Sequence, residues 1–260
     1  MLKLTFLGTG TSQGVPMIGC DCRVCRSTDP RDKRLRTSAL VEAEGVRLLI
    51  DAGPDLRQQL LRANVSHLRG ILLTHEHKDH TGGLDDVRAL NFVDYPEAVH
   101  PVEVYATERT LKIVRKDYDY AFAEDKYRGV PLIHLHTIDP ARPFCIEGVE
   151  IIPIRGQHSV RFETTGFRIG KLAYLTDFKL LEEEELQKLM GVEVLVVNAL
   201  RPEPHDSHWN LEEALAIIGR IGPRRAFLTH CSHEMGLHAE RQARLPEGVA
   251  LAYDELTIEI

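Results

Sequence analysis

The chain has 260 residues, with 39 acidic against 32 basic side chains and a formal net charge of −7. That balance argues against long nucleic acid as a partner, which needs clustered Lys and Arg, but it allows a small anionic substrate held by cations. No apolar run approaches the ~20 residues of a membrane span, the length suffices to bury a core without disulfides, and no leader pattern precedes the first strand, so a cytoplasmic protein is expected.

In chain order, Leu2 to Leu7 read as a first strand. Gly8-Thr9-Gly10-Thr11-Ser12-Gln13-Gly14 follows. A Gly-rich loop after a strand can cradle phosphate. This one lacks the Gly-Lys-Ser/Thr ending of a P-loop and a helix behind it, so a tight turn is expected. Cys20, Cys22 and Cys25 then crowd into six residues. In a reducing compartment such a cluster points to metal rather than to disulfides. Residues 26–37, rich in Arg and Lys, read as a solvated loop, with a phosphate-facing basic edge as the alternative.

Residues 38–42 and 46–50 flank Glu44-Gly45, a hairpin pattern, and Asp51-Ala52-Gly53-Pro54 ends its second strand. Leu56, Leu60 and Leu61 recur at helical spacing up to Ala63. A strand over 70–74 runs into Thr74-His75-Glu76-His77-Lys78-Asp79-His80, and Gly82-Gly83 turns the chain. In extended backbone His75 and His77 point the same way and can converge on one ion. Asp79 and His80 are better placed for a second, neighbouring ion. The spacing is not His-Glu-x-x-His on a helix. A short helix with Leu84, Val87 and Leu90 comes next.

Residues 91–130 contain a strand at 102–105 and a helix at 107–117, then Tyr118, Tyr120, Phe122 and Tyr127 without a clean period. Such an insert suits a substrate lid or an oligomer contact, for instance in a homodimer; plain packing is the alternative. From 131, strands are expected at 132–137, 144–147, 149–154, 165–169 and 171–176. A helix at 181–190, a strand at 193–197, a helix at 210–219 and a strand at 225–229 follow, then strands at 248–252 and 256–260. Two runs, before and after residue ~130, each pass from strands into strand–helix alternation. The expectation is one α/β domain over 1–260.

Further metal-type donors stand where apolar runs stop. His158 follows Ile151 to Ile154, Asp177 follows Leu172 to Thr176, and His230 follows Ala226 to Thr229. Loop histidines His205 and His208 precede a helix that Asn210 can cap. Cys145 and Cys231 are expected as buried inert thiols. His67, His100, His134, His136 and His238 are expected at the surface.

The run from His75 to His80 matches the His-x-His-x-Asp-His signature of the metallo-β-lactamase superfamily, and His158, Asp177 and His230 match its remaining ligand motifs. The resemblance covers nearly the whole chain. It implies a metallo-β-lactamase fold, a four-layered αββα sandwich of two mixed sheets flanked by helices. It also implies two divalent ions, Mn or Zn, with His75, His77 and His158 on one, Asp79, His80 and His230 on the other, and Asp177 bridging. Cys20, Cys22 and Cys25 with the late His233 of Thr229-His230-Cys231-Ser232-His233 resemble the extra metal site of the PhnP branch of phosphodiesterases. Three thiolates and one imidazole make a closed tetrahedral site that favours structural zinc. By the same resemblance His208 is the general acid, with His205 next in line, and Asp79 takes part in catalysis as well as ligation. The implied activity is hydrolysis of small, cyclic ribose or nucleotide phosphodiesters. A ribonuclease Z-type nuclease would need a long basic arm that this chain lacks. A PqqB-like protein would depart from the seven-ligand set, which is intact here. One departure is Asn198, which ends a strand where the phosphonate-pathway enzymes carry aspartate.

Overall fold

A computed structural model describes residues 1–260. The strands of the first half are β1 (Leu2–Gly8), β2 (Ser38–Ala43), β3 (Val46–Ile50), β4 (Gly70–Leu72), β5 (Val102–Ala106) and β6 (Ile133–Thr137). Between them lie α1 (Leu56–Arg62), α2 (Lys78–Thr81), α3 (Arg88–Asn91), α4 (Glu108–Asp117) and α5 (Asp119–Phe122). The second half supplies β7 (Phe144–Ile146), β8 (Val149–Ser159), β9 (Phe162–Ile169), β10 (Leu172–Leu175), β11 (Val194–Asn198), β12 (Arg225–Thr229), β13 (Val249–Leu251) and β14 (Thr257–Glu259). Its helices are α6 (Glu183–Gln187), α7 (Leu211–Ile221) and α8 (His238–Gln242).

Two seven-stranded sheets form, in the orders β14-β1-β2-β3-β4-β5-β6 and β13-β12-β11-β10-β9-β8-β7. Each sheet is antiparallel over its first three pairs and parallel over its last three, counted from β14 and from β7. Short turns suffice for the antiparallel pairs, whereas parallel neighbours need crossovers, and the helices supply them. That is the physical content of the two runs in the sequence.

Strand alternation builds the layers. Leu48 and Ile50 of β3 and Val194 and Val196 of β11 face the space between the sheets, where Phe6 packs on Phe227 with ring centroids 5.7 Å apart. Leu49 points the other way, against Leu56 and Leu60 of α1 and Leu111 and Val114 of α4. Leu195 and Val197 likewise meet Leu186 of α6 and Ala214 and Ile218 of α7. Strands buried on both faces read as continuous apolar runs. Three cores between four layers make the αββα sandwich.

Local chemistry sets the boundaries. Asn210 caps α7 through a reciprocal capping box with Glu213, and Gly222 closes it in the left-handed region. Such a cap is worth about 1 kcal/mol. The expected helix at 181–190 shrinks to Glu183–Gln187, and the strand at 70–74 to Gly70–Leu72.

Several expectations are corrected. β8 and β9 form one long hairpin rather than two short strands, so His158 lies inside a strand. Residues 26–37 are not a solvated loop throughout. Asp32 and Arg34 are buried, and Arg34 donates to Thr9 Oγ1 at 2.8 Å and to the Ala252 carbonyl at 2.6 Å. His238 is buried beside Arg34, not on the surface, and the surface site of Cys145 on short β7 leaves that thiol exposed. His134 and His136 lie on β6, facing Glu103 of β5. In the 91–130 insert, Tyr118 and Ala121 pack into the outer core while Tyr95 and Tyr127 stay exposed.

Candidate metal centre

Seven donor side chains converge where strands of both sheets end. α2 follows β4 so closely that His77 is its N-cap, and Asp79 and His80 lie within its single turn. Gly53 permits this packing. A Cβ there would sit 2.0 Å from the Asp79 carbonyl oxygen. Arg109 of α4 donates to Glu76 at 2.7 Å, and the Tyr118 hydroxyl donates to the Thr81 carbonyl at 2.8 Å, so the insert holds the loop from behind.

Two groups of donors form. His75, His77 and His158 lie with ligand atoms within 4.8 Å of one another, as do Asp79, His80 and His230. Asp177 stands between them. Its carboxylate is 3.2 Å from His230 Nε2, 3.3 Å from His80 Nε2 and 4.0 Å from His158 Nε2. Asp79 lies 3.2 Å from His80 Nε2 and 3.6 Å from His230 Nε2. Asp177 and His230 both take positive φ, 63° and 55°, at the ends of β10 and β12. Such backbone is costly for non-glycine residues and concentrates at functional sites.

The imidazoles are oriented from behind. The Thr74 hydroxyl donates to Asp51 Oδ2 at 3.0 Å, so its contact of 3.0 Å with His75 Nδ1 makes that nitrogen the donor. His80 Nδ1 faces Asp51 Oδ2 at 2.7 Å, and His158 Nδ1 donates to the Ser207 carbonyl at 2.7 Å. In each ring, when it is neutral, Nε2 is thereby left with its lone pair toward the cluster. His75 Nε2, His80 Nε2 and His230 Nε2 are buried without a hydrogen-bond partner. An unsatisfied buried polar atom costs about 1–3 kcal/mol. Three of them aimed at two carboxylates fit a cation.

Charge follows the same geometry. Burial pushes His75 well below its ordinary value, and the neighbouring His80 adds to this. Burial also opposes the charged forms of Asp177, Asp79 and His80, but their mutual attraction wins. Asp177 is held low by His230 and His80, Asp79 by His80 and His230, and His80 is held high by Asp79, Asp177 and Asp51.

Asp51, buried and at φ 61°, escaped the sequence reading, where it appeared as a strand terminator. Its only signal was a carboxylate at the end of an apolar run, the feature shared with Asp177. Asn198 spends its side chain on one residue: it accepts from Phe178 N at 2.7 Å and donates to Phe178 O at 3.0 Å. It braces the residue after Asp177 and faces no cluster.

His208 stacks on His230, with centroids 4.8 Å apart, and lies tilted against His158 at 4.7 Å; its Nδ1 is 3.5 Å from Asp177. Burial pushes it down to about 2, against the pull of Asp177. His205 lies behind, 5.2 Å from His208 between centroids, and is less buried.

A second cluster gathers Cys20, Cys22, Cys25 and His233. His233 Nδ1 is 3.3 Å from Cys22 Sγ and 3.6 Å from Cys20 Sγ. The Cys25 backbone N–H and then His233 lower the Cys22 thiol to about 6, while burial raises that of Cys25 to about 11. The set ties the loop before β2 to the turn after β12. Cys231 is buried and apart.

Residues 46–231 match the model of the beta-lactamase superfamily domain, and the fold and site geometry are those of that class of metal-dependent hydrolases. The chain belongs to its PhnP family: a solved diphosphatase of the PhnP family is 37% identical, covering 100% of this chain and 98% of that one, with a TM-score of 0.92. An octanoyltransferase of Porphyromonas gingivalis is 41% identical over 257 residues, 98% of this chain but 51% of that protein, so the chain spans about half its length. A ribonuclease Z of Mycobacterium bovis is 28% identical over 272 residues, 94% of this chain and 91% of that protein. No helix is long and apolar enough to cross a membrane.

Proposed function

We propose that this protein hydrolyses small phosphodiesters or diphosphates, using two divalent ions at the His/Asp cluster and one structural zinc at Cys20, Cys22, Cys25 and His233. The observation that carries the reading is Asp177, placed between two groups of donors, three of them oriented by hydrogen bonds from behind, with His208 beside it. When bound, the ions supply Lewis acidity and acidify water. His75, His77 and His158 would hold one, Asp79, His80 and His230 the other, with Asp177 shared.

The chain's own residues do the rest. Asp79, the less buried carboxylate, orients the attacking water and accepts from it. Attack in line forms a new P–O bond and breaks the one to the leaving oxygen. An alkoxide is a poor leaving group and needs a proton, which His208 provides from beside Asp177. A neutral buried imidazole gains its proton most readily when an anionic substrate lies against it, because that charge favours imidazolium. The diphosphatase relative supports a phosphorus–oxygen bond as the target. Net charge −7 and the absence of a basic arm favour a small substrate over long RNA.

A second reading, hydrolysis of an acyl ester or thioester, draws on the octanoyltransferase relative. One panel separates them: purified protein with Mn²⁺ or Zn²⁺ against nucleoside diphosphate compounds, cyclic and linear phosphodiesters, phosphomonoesters, lactams and octanoyl thioesters. Turnover confined to thioesters or lactams overturns the proposal.

A further inference from the structure

Outside both clusters, the structure brings together three side chains far apart in sequence. His67 sits in the loop between α1 and β4, and Asp94 and His100 sit in the loop after α3. Their ligand atoms lie within 4.8 Å of one another. His67 Nε2 is 3.2 Å and His100 Nε2 2.8 Å from the same oxygen, Asp94 Oδ2. The rings meet edge to face with centroids 6.0 Å apart. Ser66 Oγ contacts His67 Nδ1 at 3.0 Å, which fixes that ring from its far side.

The arrangement is built rather than accidental. Asn91 is fully buried. Its amide donates to the His100 carbonyl at 2.7 Å and to the Leu132 carbonyl at 3.0 Å, and accepts from Leu132 N at 2.9 Å. His100 N returns a bond of 2.9 Å to the Asn91 carbonyl, so residues 91–100 form a closed loop with Asp94 and His100 at set positions. Within it Ala98 N donates to the Asp94 carbonyl at 2.9 Å. The three side chains are about half exposed, at 53, 47 and 47%, so solvent ions reach them freely.

We propose that His67, Asp94 and His100 form a further, solvent-accessible site for a divalent transition-metal ion. Two imidazole nitrogens and one carboxylate oxygen within 4.8 Å of one another suit Zn²⁺, Ni²⁺, Co²⁺ or Cu²⁺ rather than Mg²⁺ or Ca²⁺, which prefer all-oxygen shells. The remaining coordination positions open to water. Bound there, the ion links the 63–69 loop to the 91–100 loop on a face separate from the His/Asp cluster. The competing arrangement is purely protonic, with two imidazole N–H groups donating to Asp94. It holds no metal.

The test uses the protein carrying the metals with which it is purified. It is equilibrated with Ni²⁺ at neutral pH, dialysed and analysed for metal, beside H67A/H100A and D94N. Wild type is expected to retain one more equivalent of Ni²⁺ per chain than either variant, with hydrolase activity and cysteine-bound zinc unchanged. In wild type, substoichiometric Cu²⁺ is expected to broaden the ring resonances of His67 and His100 before those of His134 and His136, an arm that stands even where a variant fails to fold. Equal retention in wild type and folded variants, or broadening that spares His67 and His100, overturns the proposal.

Discussion

Asp51→Asn changes one atom and preserves shape, yet it reverses the polarity behind His80. Asp51 Oδ1 accepts from Thr74 N at 2.8 Å, and Oδ2 accepts from the Thr74 hydroxyl at 3.0 Å and faces His80 Nδ1 at 2.7 Å. An amide has one acceptor oxygen. Kept on Thr74 N, it turns an NH₂ group toward His80, and the neutral, ion-binding form of the imidazole would have to carry its proton on Nε2. That nitrogen then donates to Asp79 at 3.2 Å or Asp177 at 3.3 Å instead of offering a lone pair. Loss of such an orienting partner typically weakens metal retention or activity 10–100-fold, or about 1.4–2.7 kcal/mol. The assay is chelator competition followed by metal analysis, with kcat/KM on a phosphodiester from the same sample. The zinc proposed at Cys20, Cys22, Cys25 and His233 serves as an internal control and should stay bound. Equal chelator midpoints for variant and wild type would refute the role assigned to Asp51, and with it the Nε2 orientation of His80.

Cys22→Ser is expected to lose one zinc and lower the melting temperature while the His/Asp cluster keeps its ions, because structural zinc contributes folding free energy directly; full zinc content at an unchanged melting temperature contradicts the assignment. His208→Ala should slow alkyl diesters about 10²–10⁴-fold and nitrophenyl diesters much less, since an aryl oxide leaves with little help, with metal content unchanged. Equal losses on both substrates would show that His208 positions substrate and the acid lies elsewhere, with His205 next. Turnover of a small diester should depend weakly on salt, because few phosphates are contacted; a steep loss between low and moderate salt on structured RNA favours a nuclease.

The donor cluster from His75 to His80 was legible because an apolar strand, dense donors and a glycine pair coincide in one stretch. His158, Asp177 and His230 were legible only as a set, since each alone is a polar residue after an apolar run. The β8–β9 hairpin was not legible. Pro153, Gly156 and polar Gln157, His158 and Glu163 break the expected alternation. Pro153 is tolerated because β7 pairs only as far as Ile151, leaving that side of β8 without a neighbour. Gly156 makes room for the Phe178 ring, which a Cβ would approach to 2.0 Å. Asp51 was invisible as a participant because its partners, Thr74 and His80, come from the segment after β4 and from α2, more than twenty residues on. His238 and Arg34 read as surface charges because their burial depends on the docking of the loop that carries the cysteine cluster.

The division of the seven donors between the sheets has a consequence for biosynthesis. His75, His77, Asp79 and His80 belong to the first half of the chain and His158, Asp177 and His230 to the second. A nascent chain emerging from the ribosome exposes four donors long before Asp177 exists to hold them apart, and His230 arrives only after β12 has been made. The complete centre is therefore one of the last features a growing chain acquires. Ion capture at the proposed centre would report that both sheets have been synthesised and have docked, and a truncated product carries the signature run without the site.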